Sequence, residues 1–344
     1  MLLTTRNPLL FPFILTFTLL QGISPALIPP PRSYADEIWI TNLTFHSVQV
    51  FDPETQGRLA EIPVGEKPID VTFSRDYKRA YVANFGSNDV SIIDTARRQV
   101  LATLPVGRRP RSVTLSPDDQ ILYVTNSGED TLSFIDVRLE KILRTLPVGP
   151  SPSFARVTPD GQKLYVSDGG NASLSIVPVG SPDAPIKTLG GLGKGVPWLA
   201  LTPDGKKLYI AGGDEDTYSV LDTPTDTLLT TRSVPGKEPH GMAVTPDGQF
   251  VWMVNRKSGN LHIVETRTDT VVATLEHLGE NPDMITISQD GRRAYITLRA
   301  QLSAGPLPDV KEKAGGIVAV DVPARKVLTT WKIQGDPHGI AFKN

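Results

Sequence analysis

One tetrapeptide pattern returns seven times along the chain, and it restricts the fold more than any other feature. The copies are Trp39-Ile40-Thr41-Asn42, Tyr81-Val82-Ala83-Asn84, Tyr123-Val124-Thr125-Asn126, Tyr165-Val166-Ser167-Asp168, Tyr209-Ile210-Ala211-Gly212, Trp252-Met253-Val254-Asn255 and Tyr295-Ile296-Thr297-Leu298. Their aromatic first residues are separated by 42, 42, 42, 44, 43 and 43 positions. A period of roughly 40 to 45 residues is that of four-stranded propeller blades. Within one period the β-rich runs follow in order, as in Arg111–Leu115, Ile121–Asn126, Leu132–Asp136 and Ile142–Val148. Between the first two runs stand turns such as Thr158-Pro159-Asp160-Gly161 and Thr202-Pro203-Asp204-Gly205. Proline presets φ there and glycine accepts positive φ, which is hairpin chemistry. No stretch carries a useful helical period.

The fold class expected is therefore all-β: a seven-bladed β-propeller with four antiparallel strands per blade. The chain begins its first period with the second, third and fourth strands, and it ends on an extra first-strand run, His338-Gly339-Ile340-Ala341-Phe342. That tail is expected to complete the N-terminal blade and close the ring, which removes the sheet edges at the seam. A repeat ring also accounts for 344 residues without a second domain, because each blade packs only on its neighbours.

Residues 1–35 read as a signal peptide followed by a propeller over 36–344. The segment holds Arg6, an apolar run from Leu9 to Leu20 too short to span a bilayer, and Ser33-Tyr34-Ala35 with small residues at the −3 and −1 positions. Cleavage before Asp36 and a periplasmic or secreted location are expected, with no membrane span in the mature chain. The chain has no cysteine, so it makes no disulfide, thiolate metal site or covalent haem attachment. Its net charge of −2 offers nucleic acid no bulk attraction. Arg97 and Arg98 belong to one face of the expected ring and Arg108, Arg109 and Arg111 to the other, so no continuous basic groove forms and no nucleic-acid partner is expected. A monomer is expected.

The tetrapeptide and its period resemble the YVTN family of bacterial and archaeal β-propeller repeat proteins over residues 36–344. This resemblance implies export to the periplasm or cell surface, and more distantly a likeness to the amine-dehydrogenase heavy chain, the d1-haem nitrite reductase propeller and seven-bladed lactonases. It does not imply one activity, since propellers host many.

Function must come from residues that the ring brings together. Most blades carry a proline just before the innermost strand, and the next residue should line the channel mouth on the top face. Around the ring that position reads Ile69, Arg111, Ser153, Pro197, His240, Asp283 and His338. In the fourth repeat the spacing slips, so that Val196 takes the proline position and Trp198 the next. His240, Asp283 and His338 come from consecutive blades. Two imidazoles and a carboxylate suit a divalent metal such as Zn, Fe or Mn, and Arg111 could meet an anion. The same sector holds His46 and the long insertion Arg299–Lys313, and Trp198 could stack on a flat ligand. Three readings stand side by side: a metal site, a metal-free ligand site on Arg111, Trp198, His240, Asp283, Arg299 and His338, or a hydrated structural ring. The run Asp214-Glu215-Asp216 lacks the alternating spacing of an EF-hand and reads as a solvated loop.

No Ser–His–Asp nucleophile motif, phosphate loop, dinucleotide fingerprint or zinc helix is present. The expected function is binding or scaffolding of a small ligand or partner protein outside the cytoplasm. The alternatives are a metal-dependent, lactonase-like hydrolase and an accessory propeller of a periplasmic redox enzyme. No cofactor is indicated beyond a possible divalent metal.

Overall fold

The computed structural model describes residues 36–181, 184–195, 198–300 and 314–344. The expected signal segment, Val196, Pro197 and most of the Arg299–Lys313 insertion lie outside the described residues. Within them, 28 strands form seven four-stranded sheets. The tail strand Pro337–Lys343 pairs antiparallel with Glu37–Asn42, in register Phe342 to Ile38 and Ile340 to Ile40. It thereby completes the sheet that continues through Ser47–Phe51 and Arg58–Pro63. Blades are numbered from this closing blade as blade 1. The innermost strands of blades 2 to 7 are then Pro68–Phe73, Pro110–Leu115, Pro152–Val157, Leu199–Leu201, Pro239–Val244 and Pro282–Ile287.

The repeated tetrapeptide is the second strand of each blade, and each of its positions has a physical task. The aromatic first residue is buried between blades: Trp39, Tyr81, Tyr123, Tyr165, Tyr209, Trp252 and Tyr295 are all 4% exposed or less. The Tyr165 hydroxyl donates to Asp226 of the next blade at 2.7 Å, and Tyr209 does the same to Asp269. The apolar second residue fills the core between sheets, as Val82 does beside Trp39, Val50 and Val71. The fourth residue ties down the turn to the third strand. Asn84 Nδ2 donates to Ser91 at 2.8 Å, and Asn126 Nδ2 to Ser133 at 2.9 Å.

The third residue explains how the channel mouth is built. In six blades the register slips at the start of the innermost strand, so that one extra residue faces the second strand. This is a β-bulge, which bends a strand and re-aims a side chain. Its displaced N–H needs an acceptor, and in four blades the third-position hydroxyl supplies it. Ser112 N–H donates to Thr125 at 3.0 Å, Phe154 to Ser167 at 2.9 Å, Met284 to Thr297 at 3.1 Å and Gly339 to Thr41 at 2.8 Å. Thr125 and Thr297 then donate to the carbonyls of Ser153 and His338, at 2.8 and 3.0 Å, in the following blade. One hydroxyl thus satisfies a bulge and clamps two blades together.

Candidate functional site

The bulges turn the residue after each proline toward the channel axis, and three of them converge. Asp283 is fully buried, with His240 and His338 on either side: His240 Nδ1 is 3.5 Å from Oδ1 and His338 Nε2 is 3.5 Å from Oδ2. The innermost strands come this close because glycine follows each histidine. A Cβ on Gly241 would stand 2.4 Å from the Asp283 carbonyl, and one on Gly339 would stand 2.6 Å from that of Ile69.

Two arginines complete the site: Arg299, which the sequence placed at the channel mouth, and Arg256, which it did not. The residue immediately after each tetrapeptide begins the loop to the third strand, and in blades 6 and 7 that residue is an arginine. Arg256 Nη2 donates to Asp283 Oδ1 and also lies 2.7 Å from His240 Nε2. Its Nη1 reaches Glu238 at 3.1 Å. Arg299 grips Asp336 through Nε at 2.7 Å and Nη2 at 2.5 Å, with Nη1 3.8 Å from Asp283 Oδ2. The signal was present in the sequence, because Leu43, Gly213, Arg256 and Arg299 share one repeat position and all four line the top cavity.

These contacts fix protonation states. His338 Nδ1 faces the Ile69 carbonyl at 2.8 Å, so that nitrogen carries the proton and Nε2 presents a lone pair. His240 Nε2 accepts from Arg256, leaving Nδ1–H toward the Asp283 carbonyl at 3.3 Å. Burial, with Arg256 next in weight, holds the His240 pKa well below the usual imidazole range. Burial likewise brings His338 down to about 4, although Asp283 opposes it. For Asp283 burial raises the pKa, but His338, Arg256, His240 and Arg299 together outweigh it and hold the carboxyl well below the usual range. Among the described residues its Oδ2 has no hydrogen-bond donor.

Arg111 enters from blade 3 and is the exception. Among the described residues its guanidinium makes no ion pair or hydrogen bond, and its Nε is buried without a partner. Burial, reinforced by Arg256 and Arg299, pulls its pKa down to about 10, with only Asp283 pulling the other way. An unpaired, partly desolvated guanidinium is costly unless an anion meets it. It borders a cavity of about 230 Å³ with Leu43, Ile69, Arg256, Arg299 and His338.

The other expected residues fall differently. Trp198 sits one residue deeper than the mouth: Ala211 N–H bonds to its carbonyl at 2.9 Å, the register that Asp70 and Ser112 hold in their blades. It is 2% exposed, with its ring 4.4 Å from that of His240, and it lines a second cavity deeper in the channel instead of the top one. His46 accepts the Lys67 N–H at 3.1 Å and holds a loop outside the cavity. Asp214 lines the cavity, whereas Asp216 pairs with Lys237 at 2.6 Å and accepts the Glu238 N–H at 2.8 Å. Among the described residues no three His, Asp or Glu side chains form a set that could hold a metal ion. The three expected ligands do meet, but the cation between His240 and Asp283 is the guanidinium of Arg256.

Comparison with known proteins agrees with this architecture. The family model for the seven-bladed β-propeller lactonases matches residues 184–286, a stretch that includes His240, Arg256 and Asp283. Among solved structures, a putative 6-phosphogluconolactonase from Bacteroides fragilis NCTC 9343 is 19% identical with a TM-score of 0.71, covering 92% of this chain and 100% of that one. Hydrazine synthase from Kuenenia stuttgartiensis is 19% identical with a TM-score of 0.68, covering 86% of this chain and 92% of that one. Dihydro-heme d1 dehydrogenase NirN in complex with DHE is 16% identical with a TM-score of 0.63, covering 94% and 79%. No curated protein matches the sequence significantly. At these identities the likeness establishes the fold: the chain is a seven-bladed β-propeller, similar to the lactonase propellers over residues 184–286.

Proposed function

We propose that this propeller binds a small organic anion, a carboxylate or a phosphate ester, in its top cavity. The observation that carries the reading is Arg111: among the described residues it is the one arginine of the three in that cavity without a carboxylate partner. Arg256 and Arg299 are already committed to Asp283, Glu238 and Asp336, so they shape the seat while Arg111 supplies the uncompensated charge. A volume of about 230 Å³ suits a ligand of a few carbons. The N-terminal segment, with its apolar run and small residues before Asp36, supports a location outside the cytoplasm.

The test is a thermal-shift and calorimetric screen of phosphate, citrate, gluconate and 6-phosphogluconate against the wild type and Arg111→Met. Binding by the wild type that falls at least tenfold in the variant is expected. Equal binding by both, or none by either, refutes the reading.

A second reading, hydrolysis of an anionic lactone, rests on His338 Nε2 and Asp283 Oδ2. These two acceptors face each other at 3.5 Å, and among the described residues Oδ2 has no donor. A water held there would lose its proton to Nε2 as its oxygen attacks the lactone carbonyl. The ring C–O bond then breaks, and the proton returns from Nε2 to the departing alkoxide. Arg111 would stabilise the transient oxyanion. The match to the lactonase family over residues 184–286 supports this reading. Turnover of a δ-lactone that His338→Asn abolishes is expected, and turnover unchanged in that variant rules the reading out.

A further inference from the structure

We propose that the lower half of the central channel is a second binding site, built for an apolar zwitterion of the amino-acid or dipeptide class. Behind Trp198, which lines it, a cavity of about 740 Å³ opens at the face that carries Ser116, Pro117, Pro159 and Pro203, the turns between the first and second strands. Its volume lies within the range of small-molecule sites. The walls come from successive innermost strands and include Val113, Leu199, Met242, Met284 and Ile340.

Four charged residues line this chamber: Arg75 and Asp119 in the turns at its open face, and Asp70 and Arg156 on the innermost strands. Asp70, from blade 2, is fixed by two backbone donors: Val71 N–H to Oδ1 at 3.0 Å and Val113 N–H to Oδ2 at 3.1 Å. Arg156, from blade 4, gives one Nη1–H to the Ala155 carbonyl at 2.8 Å. Both side chains line the cavity and keep partial exposure into it. They belong to blades separated by blade 3, and among the described residues they form no ion pair with each other or with any other side chain. Burial acts against both charges, raising the Asp70 pKa and lowering that of Arg156, and each charge is the leading influence in the other's favour.

Holding a partly buried acid and base apart forfeits the energy that direct pairing would return. A guest that carries both signs recovers it: its ammonium meets Asp70, its carboxylate meets Arg156, and its apolar side chain lies on Met242, Met284 and Ile340. A simple anion would meet Asp70 unfavourably, and a simple cation would meet Arg156 in the same way. The site is independent of the anion seat above, because Trp198 lies between them and no residue of Arg111's cavity contributes to these walls.

Isothermal titration calorimetry on the full chain tests this with L-phenylalanine and Leu–Leu as probes. N-acetylphenylalanine, which lacks the ammonium, and phenylalaninamide, which lacks the carboxylate, serve as one-charge analogues. The expected result is binding of a zwitterionic probe, at least tenfold weaker binding of each analogue, and at least tenfold loss in Asp70→Asn and in Arg156→Met. Arg111→Met should leave this binding unchanged. The proposal is overturned if neither zwitterion binds at millimolar concentration, or if the analogues bind as well as the zwitterions. It is equally overturned if Arg111→Met abolishes binding while Arg156→Met does not. Circular dichroism establishes folding of each variant, and should either channel variant fail to fold, the comparison of analogues on the wild-type protein decides alone.

Discussion

Arg256 stands over Asp283, donating through Nη2 to Oδ1 of that fully buried carboxylate while the same nitrogen lies 2.7 Å from His240 Nε2. The two residues come from different blades and different repeat positions. Their meeting places a permanent cation at the centre of what would otherwise read as a His–Asp–His metal site.

Removing one half of this pair should cost far more than removing both. Asp283→Ala leaves Arg256 and Arg299 facing a void and is expected to lower stability by about 3–5 kcal/mol. Asp283→Leu combined with Arg256→Met should recover most of that loss. Urea unfolding of the single and double variants measures the coupling, and strictly additive losses would contradict the pairing.

Arg111 should trade stability for binding. Among the described residues its guanidinium has no partner, and its pKa is drawn down to about 10, so the charge is a burden on the ligand-free fold. Arg111→Met is expected to raise the unfolding free energy by about 1 kcal/mol, a figure discounted for the residue's partial exposure. The same change should abolish any stabilisation by added anions, and differential scanning calorimetry with and without phosphate reads both effects.

His338 should make the protein acid-sensitive. Its folded pKa, about 4, lies below the ordinary value of 6.5, so the unfolded chain takes up a proton first as pH falls. The stability contributed by the neutral imidazole is complete above about pH 6.5 and is lost progressively down to about pH 4, by about 3 kcal/mol at most. His338→Asn can keep a donor toward the Ile69 carbonyl while removing the titration. Its stability–pH profile should be flatter across that window, as measured by unfolding between pH 4 and 7.

Asp168 shows the opposite sign. It occupies the fourth tetrapeptide position, where four other blades have asparagine, and it accepts from Ser173 and Ser175, both at 2.9 Å. Burial raises its pKa to about 6 from 3.8, so the folded state favours the protonated acid and stability declines as pH rises across that interval. Asp168→Asn is expected to stabilise the protein by about 1–3 kcal/mol at pH 7.5. The gain should vanish below about pH 4, and thermal melts at the two pH values test it.

Deleting residues 336–344 removes the innermost strand of blade 1 together with His338 and the Asp336 partner of Arg299. The exposed edge of Glu37–Asn42 and the open seam should destabilise the whole ring, not one blade alone. A melting temperature equal to that of the full chain would show that the closing strand is dispensable.

What the sequence determined by itself was whatever repeats. Aromatic, β-branched and turn residues at a fixed period specify a blade through local propensity and near-neighbour packing, so the number of blades, their strand order and the closing tail could be read directly. The post-proline position could be read as channel-facing for the same reason, and His240, Asp283 and His338 do converge. The tertiary structure alone decided the character of the site. A bulge of one residue sets which side chain enters the channel, and the shifted register of blade 5 drops Trp198 beneath the mouth instead of into it. Arg256 and Arg299 follow the second strands of two adjacent blades, and only the ring brings both to one cavity. Electrostatics at a channel mouth depends on distances between residues far apart in sequence, and no pattern within one repeat encodes whether a guanidinium finds its carboxylate, as Arg256 does, or finds none among the described residues, as with Arg111.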